Sequence, residues 1–242
     1  MSSIYIFLFL FITTIINIIV PMPGNSVVTP AVSFFTEPKQ AIALVGFYLA
    51  ISGVVRMIMF RQHISWTLAK DLLPASIFGV LIGSLSLLSI SETIALVVIV
   101  VSSSFFLYKK IENKKEKKKG TKFTALIVGT FSGFLQSVGL SGSDIRSNFL
   151  YSKSDDLMSV RGTTAVLGTT NFGLATIIKL FTNQITIPNL LPVIYLVPIL
   201  ILGTYIGKKI LFKIPTKIQR YIIIATLSIS ILLGGIKLYQ II

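Results

Sequence analysis

The chain has 242 residues, of which 53% are hydrophobic and 12% are charged, and its formal net charge is +14. Soluble domains carry about 25% charged residues. This composition, with a mean hydropathy of +0.87, therefore excludes a soluble domain and indicates an all-α polytopic membrane protein. No cysteine is present, which excludes disulfides, thiol catalysis and cysteine-ligated metals.

At least six apolar runs approach or exceed the roughly 18 residues that a membrane-spanning helix needs. The runs cover residues 4–22, 41–60, 72–90, 123–140, 190–211 and 221–239. No basic n-region precedes the first run, so it predicts a first membrane segment and not a cleaved signal peptide.

A polar break follows the first run, at residues 21–30, with the sequence Pro-Met-Pro-Gly-Asn-Ser-Val-Val-Thr-Pro. A helix at 40–60 comes next, and the runs 72–90 and 93–108 complete the first half. The second half repeats this order. Its break, at 139–148, reads Gly-Leu-Ser-Gly-Ser-Asp-Ile-Arg-Ser-Asn, and a helix at 157–181 follows it.

Glycines recur at a spacing of roughly 120 residues, about half of the chain, which indicates an internal repeat. Gly24 and Gly142 are separated by 118 residues, and Gly79 and Gly203 by 124. We therefore predict two repeated halves, residues 1–108 and 123–242, of about four membrane helices each, each beginning with a Gly/Pro-broken segment. A lysine-rich cytoplasmic linker, residues 109–122, joins them.

Two basic clusters determine the predicted topology. Eight lysines lie within 109–122 and five basic residues within 208–220. Such clusters beside membrane segments are typical of cytoplasmic loops, which makes a nucleic-acid partner unnecessary. If both clusters face the cytoplasm, the stretch 123–152 must start and finish on the same side. The loop at 61–70 is then cytoplasmic, the turns at Glu37 and Glu92 are external, and the halves are antiparallel.

Several short motifs occur in the same order in both halves. Thr29-Pro30 follows the first break, His63-Ile64-Ser65-Trp66 forms a turn, and Gly162-Thr163-Thr164 opens a helix of the second half. This order resembles the TauE/SafE sulfite-exporter family of bacterial membrane anion permeases. Its halves carry a glycine-rich stretch with Val-Pro, a Gly-Thr-Ser segment and a G-x-x-x-G helix. Here each break keeps one glycine of that stretch, and Asn148 stands where the second proline would fall. The resemblance implies a small anionic substrate, such as sulfite, a sulfonate or another organosulfur acid.

The two breaks are the predicted walls of a substrate site. Unwound backbone at membrane depth is tolerated only where protein or a water-filled cavity covers it, and repeated broken helices are a feature of secondary transporters. A broken-helix N-terminus offers backbone N–H groups and a favourable dipole to an anion. The predicted binding residues of the breaks are Gly24, Asn25, Ser26, Gly142 and Ser143. Ordinary interhelical turns are the alternative for both stretches.

Charged residues near the second break complete the predicted site. Arg146 could hold an anion with its planar fork of donors. Asp144 could be its counter-ion or a proton carrier, unless both are solvated at the membrane surface. Further along, Arg161, Thr163, Thr164 and Asn171 form a polar stripe that either lines a path or hydrogen-bonds neighbouring helices.

The sequence thus predicts a non-enzymatic secondary transporter of a small anion in the bacterial plasma membrane, working by alternating access between the halves. No metal, cofactor or nucleic-acid partner is predicted, and a homo-oligomer is left open. The alternatives are a membrane-embedded enzyme, for which His63 has no evident nucleophile partner, and a non-transporting assembly partner.

Overall fold

A computed structural model describes residues 12, 13, 16, 24–112, 121–211 and 213–241. The first apolar run and the linker therefore lie largely outside the described residues. In the described part, the chain forms α-helices joined by short turns. The helices are α1 (Gly24–Phe35), α2 (Pro38–Met59), α3 (Trp66–Ser89), α4 (Glu92–Glu112), α5 (Lys122–Ser137), α6 (Ser143–Lys153), α7 (Leu157–Phe181), α8 (Ile187–Ile194), α9 (Val197–Leu211) and α10 (Thr216–Ile241).

Four of the described helices, α2, α3, α7 and most of α10, are long and apolar enough to cross a membrane. Large apolar side chains point outward from them and from α4 and α5, among them Phe78, Leu85, Val101, Phe131 and Leu232. Soluble proteins rarely expose contiguous apolar surface on this scale, whereas lipid covers it without cost. The chain is a multi-pass membrane protein.

Local sequence accounts for where these helices begin. Pro38 opens α2, and proline is favoured at a first helical turn because no N–H is needed there. The Asp156 carboxylate accepts hydrogen bonds from the N–H groups of Met158 and Ser159 and so caps α7. One predicted span is divided: residues 190–211 fall into α8 and α9, with a turn at Tyr195 and Leu196.

Contacts between helix ends define the two faces of the bundle. At one end, the Ser65 N–H donates to Thr163 Oγ1 over 3.0 Å, which joins the α2–α3 loop to the start of α7. At the other, the Lys39 N–H donates to Glu92 Oε2 over 2.8 Å. The loop with Arg61 therefore lies opposite the turns at Glu37 and Glu92, as the charge pattern predicted.

The stretch 123–152 forms a helical hairpin. It starts and finishes at the end of the bundle that carries the loop with Arg61, which we call the basic end. Ala125, near the start of α5, and Leu150, near the end of α6, share one apolar cluster with Leu72 and Val160. The chain reverses at residues 138–142, where Gly139 has a φ of +86°. That left-handed conformation suits glycine, and a side chain there would also collide with Ile42. The structure thus confirms that both ends of this stretch lie at the same face.

Glycines bring α3 and α5 into backbone contact. A Cβ at Gly79 would collide with the carbonyl group of Thr130, and a Cβ at Gly133 with that of Ser76. A Cβ at Gly83 would overlap the Ser137 hydroxyl. Small residues allow such close approach in membranes, where van der Waals packing replaces the hydrophobic effect between helices. Gly79 and Gly83 therefore form a packing face of α3, and this contact holds the α5–α6 hairpin in place.

Candidate functional site

Helix α6 begins inside the bundle and not at its surface. Gly142, its N-cap residue, lies against the carbonyl group of Ser132, which is in the middle of α5. A Cβ at position 142 would overlap that carbonyl group, so glycine is the residue that fits at this position. Gly142 has no side chain with which to cap the first N–H groups of α6. They form a partially positive helix end within the membrane-spanning part of the bundle.

Gln136 is the centre of a buried polar network next to this helix end. Its Oε1 atom accepts hydrogen bonds from Arg146 Nη1 over 2.9 Å and from Asn171 Nδ2 over 2.7 Å. Asn171 Oδ1 in turn accepts from Ser76 Oγ over 3.0 Å. All four side chains are buried, and Arg146 is only 1% exposed. The network therefore holds a guanidinium in position within the interior.

The network lies near the middle of the membrane-spanning helices. Ser76 is close to the midpoint of α3, and Asn171 is close to the midpoint of α7. Helix α7 also carries Gly168 one turn earlier, and an added Cβ there would be 3.7 Å from Arg146 Nη2. Charged groups at this depth are costly and are usually functional.

Residues 24–30 of the predicted first break are not unwound but form the first turns of α1, and Asn25 in this helix contacts the region of the second break. Asn25 Nδ2 donates to the carbonyl oxygens of Gln136, over 3.2 Å, and of Leu140, over 3.0 Å. The N-terminal residues of α1 thus contact the chain reversal that precedes α6. Next to Asn25, the hydroxyl of Ser26 is buried and has no hydrogen-bond partner among the described residues, as is also true of Thr29.

We expect Asn25→Ala to lower thermal stability and Ser26→Ala to leave it unchanged. The alanine at 25 removes both hydrogen bonds that join the two breaks, at a cost of about 1–3 kcal/mol. Ser26 is the matched control, since its hydroxyl bonds to no described residue. Thermal midpoints in detergent, read by size-exclusion chromatography after heating, measure the difference. Equal midpoints for the two variants would contradict the bridging role of Asn25.

The remaining predicted residues occupy different positions. Ser143 is partly buried, and its hydroxyl is 3.1 Å from that of Ser141. Thr163 accepts the Ser65 N–H, so its hydroxyl joins helices at the basic end. Gly24 begins α1, and Asp144 lies in the first turn of α6, but its side chain and the surroundings of Gly24 lie outside the described set.

Arg161 is not part of the central network. It lies near the start of α7, close enough to Tyr151 and Arg56 to interact with them electrostatically. The buried hydroxyl of Thr164, one turn further along α7, has no hydrogen-bond partner among the described residues. Arg161 and Thr164 therefore lie between the basic end and Gly168, on the face of α7 that leads toward Arg146.

Three residues that the sequence analysis did not select belong to this region: Gln136, Ser76 and Lys179. Lys179 is 1% exposed and donates from Nζ to the carbonyl oxygen of Ser137, the last residue of α5, over 2.7 Å. A lysine inside an apolar helix is visible in the sequence. Gln136 and Ser76 resemble many other polar residues in the runs, and only the fold singles them out.

The arrangement suits an anion with several oxygen acceptors. Two helix N-termini, a buried guanidinium and the amide groups of Asn25, Gln136 and Asn171 converge within a few side-chain lengths. Backbone N–H groups and an arginine fork can replace the hydration shell of an oxyanion. In the described part of the chain, no group of three or more histidine, aspartate or glutamate side chains could hold a metal ion.

Comparison with known proteins gives one match. Residues 6–233 match the family model described as Sulfite exporter TauE/SafE, which covers nearly the whole chain. Searches of curated proteins and of solved structures found no match. The broken-helix site at mid-depth and a match of this extent lead to one assignment: the chain belongs to the sulfite exporter TauE/SafE family of membrane transporters.

Proposed function

We propose that this protein is a secondary transporter that moves a small oxyanion, such as sulfite, a sulfonate or another organosulfur acid, across the bacterial plasma membrane. The observation that carries the proposal is the buried Arg146, held by Gln136 near the N-terminus of α6, where the N-cap residue is a glycine. Family membership supports transport of this substrate class.

Arg146 would be the main ligand of the anion, and the first turn of α6 would add backbone donors. Its Nη1 atom is engaged by Gln136 and its Nη2 atom lies toward Gly168, where the lack of a side chain leaves room on α7. Sulfite and sulfonates share a compact group of oxygens on sulfur, which matches a planar fork combined with N–H groups from a second direction. The amide nitrogen of Gln136 bonds to no other described residue and would be a further donor.

The proposed mechanism is alternating access between the halves 1–108 and 123–242. Each half contributes one broken segment, and Asn25 joins them at the chain reversal before α6. Helices from the two halves also pack in pairs, α2 on α7 and α4 on α10. Rocking of one half against the other would expose the Arg146 region to each side in turn. The end with Arg61 would face the cytoplasm, since its loops are basic.

Transport by the purified wild-type protein tests this proposal. Proteoliposomes loaded with unlabelled sulfite should accumulate external radiolabelled sulfite by counterflow, and empty liposomes should not. Taurine and other sulfonates added in excess should compete if they share the site. Absence of counterflow with sulfite, sulfonates and small carboxylates would refute the proposed function.

The alternative of a membrane-embedded enzyme gains no support from the histidine. His63 is exposed in a short 3₁₀ turn between α2 and α3, where its side chain makes no hydrogen bond to another described residue.

A further inference from the structure

Lys179 is a buried ammonium group with few partners. It lies half a turn before the end of α7 and is 1% exposed. Within the described part of the chain, its Nζ atom makes one hydrogen bond, to the carbonyl oxygen of Ser137. An ammonium group has three donors. Two of them therefore have no protein acceptor there, although burial of an unsatisfied charge is costly.

The bond to Ser137 explains part of this placement. Ser137 ends α5, and the last carbonyl groups of a helix lack partners within the helix and carry partial negative charge. A lysine can stabilise such an end. A neutral donor would satisfy one carbonyl oxygen as well, without the cost of burying a full charge, so the cap alone does not account for a lysine.

A polar cavity opens above Lys179, at the end of the bundle opposite the basic loops. It has a volume of about 780 Å³. It is lined by the ends of α1, α2, α3, α4 and α8, by the turn that follows α7 and by Lys237 of α10. Gln184, one of the lining residues, donates its backbone N–H to the carbonyl oxygen of Lys179 over 2.9 Å. Lys179 thus belongs to the turn of α7 directly beneath the cavity.

The cavity itself does not select one sign of charge. Its lining includes two acidic residues, Glu37 and Glu92, and two basic ones, Lys39 and Lys237. Inward from it, Lys179 comes first, and Asn171 of the central network follows two helical turns along α7, about 12 Å further in. Ser137, which binds Lys179, directly follows Gln136 in α5. Lys179 therefore lies between the cavity and the central network.

We infer that Lys179 is a second anion-binding position, where its two remaining donors hold the oxyanion as it passes between the external cavity and the Arg146 site. This inference rests on the proposed transport function. A second cation on the path lets the anion leave one site for the next without returning to bulk water. It would also select for negatively charged solutes, which the mixed acidic and basic lining of the cavity does not do.

Substitution of Lys179 tests the inference in the transport assay. Lys179→Met keeps the length of the side chain and removes the charge, and we expect it to reduce sulfite counterflow about tenfold or more, the effect of losing a charge-assisted hydrogen bond. Thermal stabilisation of the detergent-solubilised protein by sulfite should persist, because Arg146 is intact. Lys217→Met, at an exposed position near the start of α10, is the matched control and should transport normally.

A cysteine variant separates charge from packing, and the chain has no native cysteine to remove. We expect sulfite counterflow by Lys179→Cys to be slower than that of the wild type. Reaction with 2-aminoethyl methanethiosulfonate, which attaches an ammonium group, should restore counterflow, whereas the neutral methyl reagent should not. Equal rescue by both reagents would show a packing role and overturn the inference.

Two other outcomes would also overturn it. Normal counterflow in Lys179→Met would show that the ammonium is not used. Loss of sulfite-induced stabilisation in that variant, as expected for Arg146 variants, would place Lys179 within the central site and not at a second position. If Lys179→Met does not fold, the comparison of the ammonium and methyl adducts of Lys179→Cys decides whether the charge is needed. Failure of the wild-type protein to transport any tested anion would instead refute the proposed function.

Discussion

Arg146→Met is expected to reduce sulfite counterflow at least about 100-fold while the protein remains folded. Arg146 is the main proposed ligand, and its planar fork would make two charge-assisted hydrogen bonds to the anion. Each contributes about 1.5–3 kcal/mol, and each ~1.4 kcal/mol changes affinity tenfold. Methionine fills much of the same volume. It also removes the cost of burying a charged group in the interior of a membrane protein. Asn171 still donates to Gln136 in the variant, so the amide oxygen keeps a partner.

Two further variants sharpen this test. Arg146→Lys keeps the positive charge and loses the planar fork, so it should retain partial transport. Arg61→Met removes an arginine that is exposed in the loop at the basic end, and it should transport like the wild type. Both Arg146 variants are compared with it by counterflow and by sulfite-induced thermal stabilisation. Wild-type flux in Arg146→Met would mean that the anion binds elsewhere.

Gln136→Glu is expected to abolish transport without disturbing the network. A carboxylate oxygen can accept from Arg146 and Asn171 where the amide oxygen does now, at 2.9 and 2.7 Å. The new negative charge would pair with the guanidinium, repel an oxyanion and remove the amide donors. We expect flux to fall at least about 100-fold and thermal stability to stay equal or rise, because a bond between two charged groups is stronger than the present one.

The control for Gln136→Glu is the same substitution at a glutamine outside the proposed site. Gln219 lies near the start of α10, where its Nε2 atom donates to the carbonyl oxygen of Ile214. Gln219→Glu should leave counterflow unchanged. Normal transport by Gln136→Glu would exclude Gln136 and Arg146 from the anion path, since a carboxylate paired with the guanidinium would repel an anion at that position.

Much of the architecture could be read from local sequence. Apolar runs of 18 or more residues predict membrane spans, because a helix that crosses the hydrocarbon core of a bilayer must present apolar side chains to lipid over its whole thickness. Clusters of lysine and arginine predict the shared side of their loops, and the hairpin at 123–152 follows from them. Gly79 and Gly83 predict a packing face, because small residues four apart lie on one side of a helix.

The composition of the site was only partly predictable. Asn25, Gly142, Arg146 and Asn171 are unusual in apolar surroundings, and their residue types indicated a polar site before any contact was known. Arg161 and Thr163 are equally unusual, yet they lie toward the basic end, where Thr163 bonds to Ser65. Residue type identifies a polar or charged side chain that is energetically unfavourable in a membrane. It does not show which of these side chains lie close together in the fold.

By itself, then, the sequence predicted the apolar helices α2, α3, α7 and α10 and the shared face of both ends of the hairpin at 123–152. These features depend on the composition of continuous stretches and of the loops beside them. The tertiary structure alone decided that Gln136 joins Arg146 to Asn171, that Asn25 bonds to the opposite break, and that Lys179 lies between a cavity and this network. These relations depend on how α1, α5, α6 and α7 pack, and glycine contacts between backbones set that packing across long separations in the chain.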